Sequence, residues 1–105
     1  MVRQYRADYK YTLNANETFK QLATSGGHEI VAVVCTGGSG GAAVRVYDSA
    51  SGAGEGSPHT DAFLISANGG ESSSFCPAQS VPMNKGIYIE LEQSAGNAEA
   101  FIVYN

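Results

Sequence analysis

Residues 29–48 read EIVAVVC-TGGSGG-AAVRVYD, and this stretch decides the fold because a glycine-rich loop separates two runs of strand-forming residues. Residues 29–35 are apolar at every position after Glu29, which is typical of a central strand covered on both faces. Residues 42–48 alternate, with Ala42, Val44 and Val46 on one face. Because glycine tolerates positive φ, we expect the loop to close a hairpin between the two strands.

A phosphate-binding loop is the competing interpretation of GGSGG. The Walker form ends in Lys followed by Ser or Thr, whereas Gly41 is followed by Ala42 and Ala43. A dinucleotide loop needs a helix at its last glycine, and the chain instead resumes with the alternation of a strand. Neither motif is met, so the loop predicts chain reversal.

The rest of the chain repeats the strand pattern. Further strands are predicted over 5–11, 61–66, 73–76, 86–92 and 98–105. Residues 14–23 are the one plausible helical turn, with Asn16 as a possible cap, although an extended segment is equally open. We predict one all-β domain over 1–105, an antiparallel β-sandwich or jelly-roll-like barrel of about seven to eight short strands. Residues 1–12 form an N-terminal arm or edge strand.

A short internal repeat supports this plan. Residues 86–105, GIYIELE-QSAGN-AEAFIVYN, again place a small-residue loop between two strands, and both copies end in Val-Tyr followed by Asp or Asn. We expect two similar hairpins that face each other. The last strand is apolar on both faces, which indicates contact with another subunit.

Charge narrows the classes of partner. Only 15% of the 105 residues are charged and the net charge is −4, with +2 in residues 1–20 and −6 in residues 21–105. A mostly acidic body lacks the Lys and Arg clusters that nucleic acids require, so we expect no nucleic-acid partner. No run of about 18 apolar residues is present, so we expect no membrane partner. The first residues also lack an apolar signal core.

The sequence gives little support for a metal site or for redox chemistry. Cys35 and Cys76 are predicted to be reduced, small core residues, with a bridge between two strand ends as the alternative. The loop over 48–61 holds Asp48, Glu55, His59 and Asp61, which could gather a cation, but their spacing matches no EF-hand or zinc motif. We expect a solvated contact loop there and no cofactor.

Catalytic motifs are absent from the sequence. It contains neither GxSxG nor HExxH. Glu90 and Glu92 share a strand face, where they could act as a hydrolytic pair. Charged residues that share one face of a strand more often form the solvent-exposed face of an edge strand. We predict that the chain is not an enzyme.

Tyrosines alternate near the start of the chain. Tyr5, Tyr9 and Tyr11 could form a carbohydrate or peptide platform, because a tyrosine ring has an apolar face and a polar tip. Packing on the sandwich or on a neighbouring subunit is the preferred interpretation.

Two stretches carry a family resemblance. HEIVAVVCTGGSGGAAVRVYDSASGAG, with the later KGIYIELEQSAGNAEAFIVYN, resembles small β-sandwich virion proteins of tailed bacteriophages, especially those of cyanobacterial and marine hosts. The resemblance spans roughly residues 22 to 104 and rests on turns and alternation. It implies a capsid decoration or cement protein that stabilises the head shell.

The resemblance also sets expectations for partners and location. It implies a virion protein, assembled in the host cytoplasm, that binds the major capsid protein or another virion protein and forms a dimer or trimer. A tail, fibre or connector component and a carbohydrate-binding module are the alternatives. The basic N-terminal arm and the long loop are the expected contacts: Arg3, Tyr5, Arg6, Tyr9, Lys10, Tyr11, Glu55 and His59.

Overall fold

The computed structural model describes residues 8–52, 62–93 and 96–105. Within them, nine β-strands form two antiparallel sheets. The strands are β1 Tyr9–Leu13, β2 Phe19–Ala23, β3 His28–Thr36, β4 Ala42–Tyr47, β5 Ala62–Ala67, β6 Ser72–Phe75, β7 Val81–Met83, β8 Ile87–Gln93 and β9 Glu99–Tyr104. The predicted all-β sandwich is confirmed. The described residues contain no helix that could span a membrane.

The strand order is that of a jelly roll. The first sheet runs β1-β9-β3-β6, with β7 also pairing with β3, and the second runs β2-β8-β4-β5. Four antiparallel pairs are nested along the chain: β4 with β5, β3 with β6 and β7, β2 with β8, and β1 with β9. With β6 and β7 taken as one interrupted strand, this nesting is the eight-strand plan of a jelly roll.

The core lies between the two sheets. The first sheet contributes Leu13, Ile30, Val33, Cys35, Ala100 and Ile102, and the second contributes Val44, Val46, Ile87, Ile89 and Leu91. Apart from Ile30 and Val33, which a β-bulge in β3 separates by three residues, these residues follow the period of two that a strand imposes on its side chains. Burial of this apolar surface at roughly 25 cal/mol per Å² is the main force that holds the sheets together.

The predicted hairpins are wrong. β3 pairs with β9, β6 and β7, and β4 pairs with β8 and β5, so the GGSGG loop carries the chain from one sheet to the other. The loop between β8 and β9 makes the same crossing in the opposite direction. The two repeated units therefore lie side by side, with β3 against β9 and β4 against β8.

Close packing explains why these loops need glycine. Gly38 has a φ of 60°, and a Cβ built on it would lie 2.8 Å from the backbone nitrogen of Ala98. Gly96 has a φ of 85°, and a Cβ there would overlap Ser39. Only glycine tolerates both the positive φ and the close approach. The small-residue loops thus interlock at one end of the sandwich.

Residues 14–23 form a turn followed by a strand, and not a helix. Residues 19–23 are β2, and the side chain that caps the turn over 14–17 is Asn14, not Asn16. Its Oδ1 accepts the backbone N–H of Asn16 at 2.9 Å and that of Glu17 at 3.2 Å. Asn side chains often make this local bond, which competes with helix formation. Of the two alternatives left open for this segment, the extended one is therefore correct for residues 19–23.

Candidate functional site

The predicted contact residues divide between described and undescribed parts of the chain. Arg3, Tyr5, Arg6, Glu55 and His59 lie outside the described residues. The other three, Tyr9, Lys10 and Tyr11, belong to β1 at the edge of the first sheet.

The β1 tyrosines point toward the interior side of the sheet. The ring of Tyr11 packs against the core, and its hydroxyl donates a hydrogen bond to Glu17. Tyr9 is 57% exposed, and its ring centroid lies 5.5 Å from that of Tyr104. Packing on the sandwich therefore describes Tyr11 better than an open ligand platform does. Lys10 alternates with these tyrosines and lies on the outer side.

The outer side of the first sheet carries an uncharged apolar surface. Four side chains on the two central strands define it, and we call it the apolar face: Ala32 and Val34 of β3, with Phe101 and Val103 of β9. Phe101 is 38% exposed and the other three are half-buried. None of the four belongs to the core cluster or packs against it. A contiguous apolar face of this kind typically marks a site of protein contact.

Polar residues border the apolar face on β1, on β6 and at one end of β3 and β9. The register places Lys10 beside Val103, Thr12 beside Phe101, and Ser74 beside Val34. Thr36 and Glu99 pair with each other at the end of the same face. An apolar centre with a polar rim is the usual anatomy of a protein interface.

Sequence alternation explains how the face arises. In β8, the inward residues Ile87, Ile89 and Leu91 alternate with polar ones, whereas β3 and β9 are apolar on both sides. The prediction that β3 is a central strand is confirmed, because it lies between β9 on one side and β6 and β7 on the other. Among the described residues, the second sheet covers only its inner side.

The outer side of the second sheet is different because its polar groups pair with one another. Tyr47 is only 4% exposed and its hydroxyl donates to Glu90 at 2.9 Å. Burial and this hydrogen bond raise the pKa of Tyr47 to about 12. Arg45 donates to Glu92 at 2.6 Å, and this bond raises the pKa of Arg45. The polar groups at the centre of this surface are therefore paired, while Phe19 and Leu64 on its two outer strands are exposed.

These contacts revise the interpretation of the two glutamates. β8 lies between β2 and β4, so Glu90 and Glu92 do not occupy an edge strand. Each carboxylate instead receives a hydrogen bond across to β4, Glu90 from Tyr47 and Glu92 from Arg45. Such cross-strand pairs stabilise a sheet. The pair therefore has a structural role on this face.

A shallow groove of about 410 Å³ borders the same sheet at β2. Phe19, which is 60% exposed, lies there with its ring centroid 6.2 Å from that of Tyr88. The amide of Gln21 also lines the groove, but its Nε2 lies within hydrogen-bond distance of three backbone carbonyls, those of Ala23, Ser49 and Ile87. The groove thus offers an aromatic surface, and the Gln21 amide beside it is already hydrogen-bonded within the fold.

Hydrogen bonds to two side chains hold the start of the long loop in place. Asp48 accepts the backbone N–H groups of Lys85 at 2.7 Å, Asn84 at 3.0 Å and Gly86 at 3.3 Å. Burial alone would raise the pKa of Asp48, but these three hydrogen bonds lower it below its ordinary value. The second fastening is Gln21, whose Oε1 accepts the N–H of Gly52 at 2.8 Å.

The cation-site hypothesis loses one of its ligands through this arrangement, because the Asp48 carboxylate is occupied by backbone donors. The other three acidic or histidine residues of the loop, Glu55, His59 and Asp61, lie outside the described residues. Across the part of the chain that is described, no group of three or more His, Cys, Asp or Glu side chains could hold a metal ion.

The cysteines are both free thiols. Cys35 is buried in β3, and burial raises its pKa. Cys76 is exposed just after β6, so the prediction that it is a core residue is wrong. Cys76 follows Ser72 and Ser74 on the exposed positions of the alternation, so its side chain faces away from the core.

The GGSGG loop lines a cleft of about 480 Å³ with the β5–β6 turn. The residues around it include Gly41, Asn68 and the acidic Glu92, and none of its lining residues is Lys or Arg. A carboxylate opposes phosphate binding, so this geometry agrees with a purely structural loop.

Sequence reasoning did not find the apolar face as a unit. It identified the two-sided apolar character of β3 and β9, but the two segments are some seventy residues apart, and only the pairing of β3 with β9 joins them. Comparison with known proteins gives no matching family model, no matching curated protein and no matching solved structure. The surface chemistry of this chain therefore carries the functional inference.

Proposed function

We propose that this protein is a non-enzymatic structural protein of a tailed-bacteriophage particle, and that it acts as a decoration protein on the head shell. The apolar face is the observation that carries the proposal. Ala32, Val34, Phe101 and Val103 lie on the outer side of the first sheet, away from the core cluster. A protein that works within an assembly buries such a face against another protein surface.

Two further points support the same role. The nested strand order is a jelly roll, an architecture that also builds viral capsid domains. That likeness is an analogy of fold, which many unrelated functions share. The resemblance of residues 22–104 to phage virion proteins points in the same direction.

The basic start of the chain supplies an attachment hypothesis. Arg3 and Arg6 precede β1, and Lys10 lies on its outer side. We propose that Arg3 and Arg6 contact an acidic surface of the major capsid protein. Electrostatic attachment of this type weakens as salt rises, because counterions screen exposed charges over about 10 Å at 0.1 M.

Co-sedimentation with purified phage heads tests the proposal. The full chain is expected to pellet with heads of the phage that encodes it, and Arg3→Gln and Arg6→Gln should each reduce the bound fraction. Arg45→Gln is the matched control, because it also removes one arginine charge but lies on the outer side of the second sheet.

Two outcomes would contradict the decoration role. A chain that stays in the supernatant with heads but pellets with tails is a tail component. A chain that pellets with neither, and whose gene lies far from capsid genes, is not a virion protein.

A further inference from the structure

We propose that two copies of this chain pair through their apolar faces, about a two-fold axis that crosses β9 and β3 at the level of Phe101 and Val34. This inference rests on the proposed function, since it names the surface by which a virion structural protein forms its own oligomer. The partner is a second copy of the chain, with sheet packed on sheet.

The register arranges the outer side chains in rows across the sheet. Thr12, Phe101, Val34 and Ser74 form the middle row, one residue from each of four neighbouring strands. Because outward residues are spaced two apart along a strand, neighbouring rows are separated by about 6.8 Å. Lys10 and Val103 lie one row to one side, and Glu99 and Thr36 lie one row to the other.

This arrangement makes the face complementary to itself. A half-turn about the middle row sets Phe101 against Phe101 of the second copy and Val34 against its equivalent. It also exchanges the two flanking rows, so Glu99 of one copy lies over Val103 of the other copy and in the same row as its Lys10. Because β1 and β9 are neighbouring strands, the two residues are offset sideways by about 4.8 Å, a distance that a lysine side chain spans.

Charge also favours this axis over one that runs along β9. An axis along β9 would set Glu99 against Glu99, a like-charge contact across the interface. The axis along the middle row keeps the two Glu99 side chains at opposite ends and creates two Lys10–Glu99 pairs by symmetry. Isologous interfaces of this kind repeat every contact twice, and sheets packed face to face keep their strands within about 30°.

The chemistry of the rim agrees with a second copy as the partner. Thr12 and Ser74 of the middle row can meet their own equivalents without repulsion because they are uncharged, and Thr36 and Ser72 of the flanking row are also uncharged. The opposite sheet surface lacks this property, because its centre carries Arg45, Glu90 and Glu92.

Sedimentation velocity of the full chain over a range of concentrations tests the pairing. Wild-type chain is expected to shift from monomer to dimer, whereas Phe101→Glu should remain monomeric. Leu64→Glu is the matched control: Leu64 is 52% exposed on an edge strand of the second sheet, so the variant adds the same charge at a similar apolar site and should still dimerise. Circular dichroism melts check that each variant is folded.

Charge reversal tests the axis itself. Lys10→Glu and Glu99→Lys should each weaken dimerisation about tenfold, since each change replaces two symmetric attractive pairs with repulsive ones. The double variant Lys10→Glu/Glu99→Lys should return to within about twofold of wild type, because it restores the pairs with exchanged charges.

Several results would overturn the inference. A wild-type chain that is monomeric at every concentration, a trimer, or a double variant weaker than both single variants would each exclude this two-fold interface. If a monomeric wild type still binds phage heads and Phe101→Glu abolishes that binding, the capsid covers the apolar face. In that case the proposed function stands while the dimer is excluded.

Discussion

The carboxylate of Asp48 accepts the backbone N–H of Lys85 at 2.7 Å, joining the end of β4 to the turn that precedes β8. The same carboxylate accepts the N–H groups of Asn84 and Gly86, so one side chain satisfies three backbone donors. Since β4 and β8 pair along their length, this contact sets where the long loop leaves the sandwich.

Asp48→Asn is expected to lower the free energy of unfolding at pH 7 by about 1–3 kcal/mol, because the amide replaces a charged acceptor of backbone N–H groups. The folded pKa of Asp48 lies below its unfolded value, so the stabilisation is present above about pH 4 and disappears as the pH falls through the folded pKa. The variant and wild type should therefore converge at low pH. Urea unfolding at pH 7 and pH 2.5 measures the difference.

Asp8→Asn is the control for that experiment. Asp8 is exposed and accepts a long 3.4 Å hydrogen bond from Asn105, so its replacement should change stability by less than about 0.5 kcal/mol. An equal loss of unfolding free energy in both variants would show that the three hydrogen bonds to Asp48 stabilise the fold no more than the single one to Asp8.

Alkaline unfolding should report on Tyr47. The pKa of Tyr47 is raised to about 12 by burial and by its hydrogen bond to Glu90, so the folded state holds this proton more tightly than the unfolded state. Its contribution to stability is complete below about pH 10 and falls as the pH rises toward 12. Tyr47→Phe should flatten this decline, as followed by urea unfolding from pH 8 to 11.5. Tyr9→Phe, at a largely exposed ring, should leave the decline unchanged.

Glycine substitutions should separate backbone conformation from steric contact. Gly38→Ala combines a positive φ with a Cβ 2.8 Å from the nitrogen of Ala98, whereas Gly70→Ala has a φ of 77° and open space around the new methyl group. We expect both variants to lose about 1 kcal/mol from conformation. Gly38→Ala should lose at least about 1 kcal/mol more from the clash. Thermal melts that rank Gly70→Ala as the less stable variant would contradict the interlocked loops.

The two thiols should react at different rates. Cys76 is exposed and should be modified by a thiol reagent in the native protein within minutes, while Cys35, buried with a raised pKa, should react only after unfolding. The Cys76→Ser variant should show almost no rapid thiol modification while it is folded. In denaturant it should show one reactive thiol, that of Cys35. Rapid modification of two thiols in the wild-type native state would show that β3 opens.

Much of the local structure could be predicted from the sequence because strand burial repeats every two residues. The strands over 28–36, 42–47, 87–93 and 99–104 were each recognisable from apolar runs or from alternation. The segment at 81–83 was missed because three residues with a central Pro82 give too short a pattern. Residues 19–23 were ambiguous because their apolar positions also fit a helical turn.

Local alternation and turn composition are enough to predict the all-β class, the inward residues of an alternating strand such as β8, and glycine between β3 and β4, since these depend on local φ, ψ and side-chain period. Only the packing of the whole chain makes GGSGG cross between sheets, places Glu90 and Glu92 on a central strand, and selects which side of β3 and β9 becomes their shared outer face. A strand offers the same backbone donors and acceptors to any neighbour, so its partner depends on how the whole chain packs its core. The apolar face is a product of that choice: it arises where two distant strands, each apolar on both sides, become neighbours.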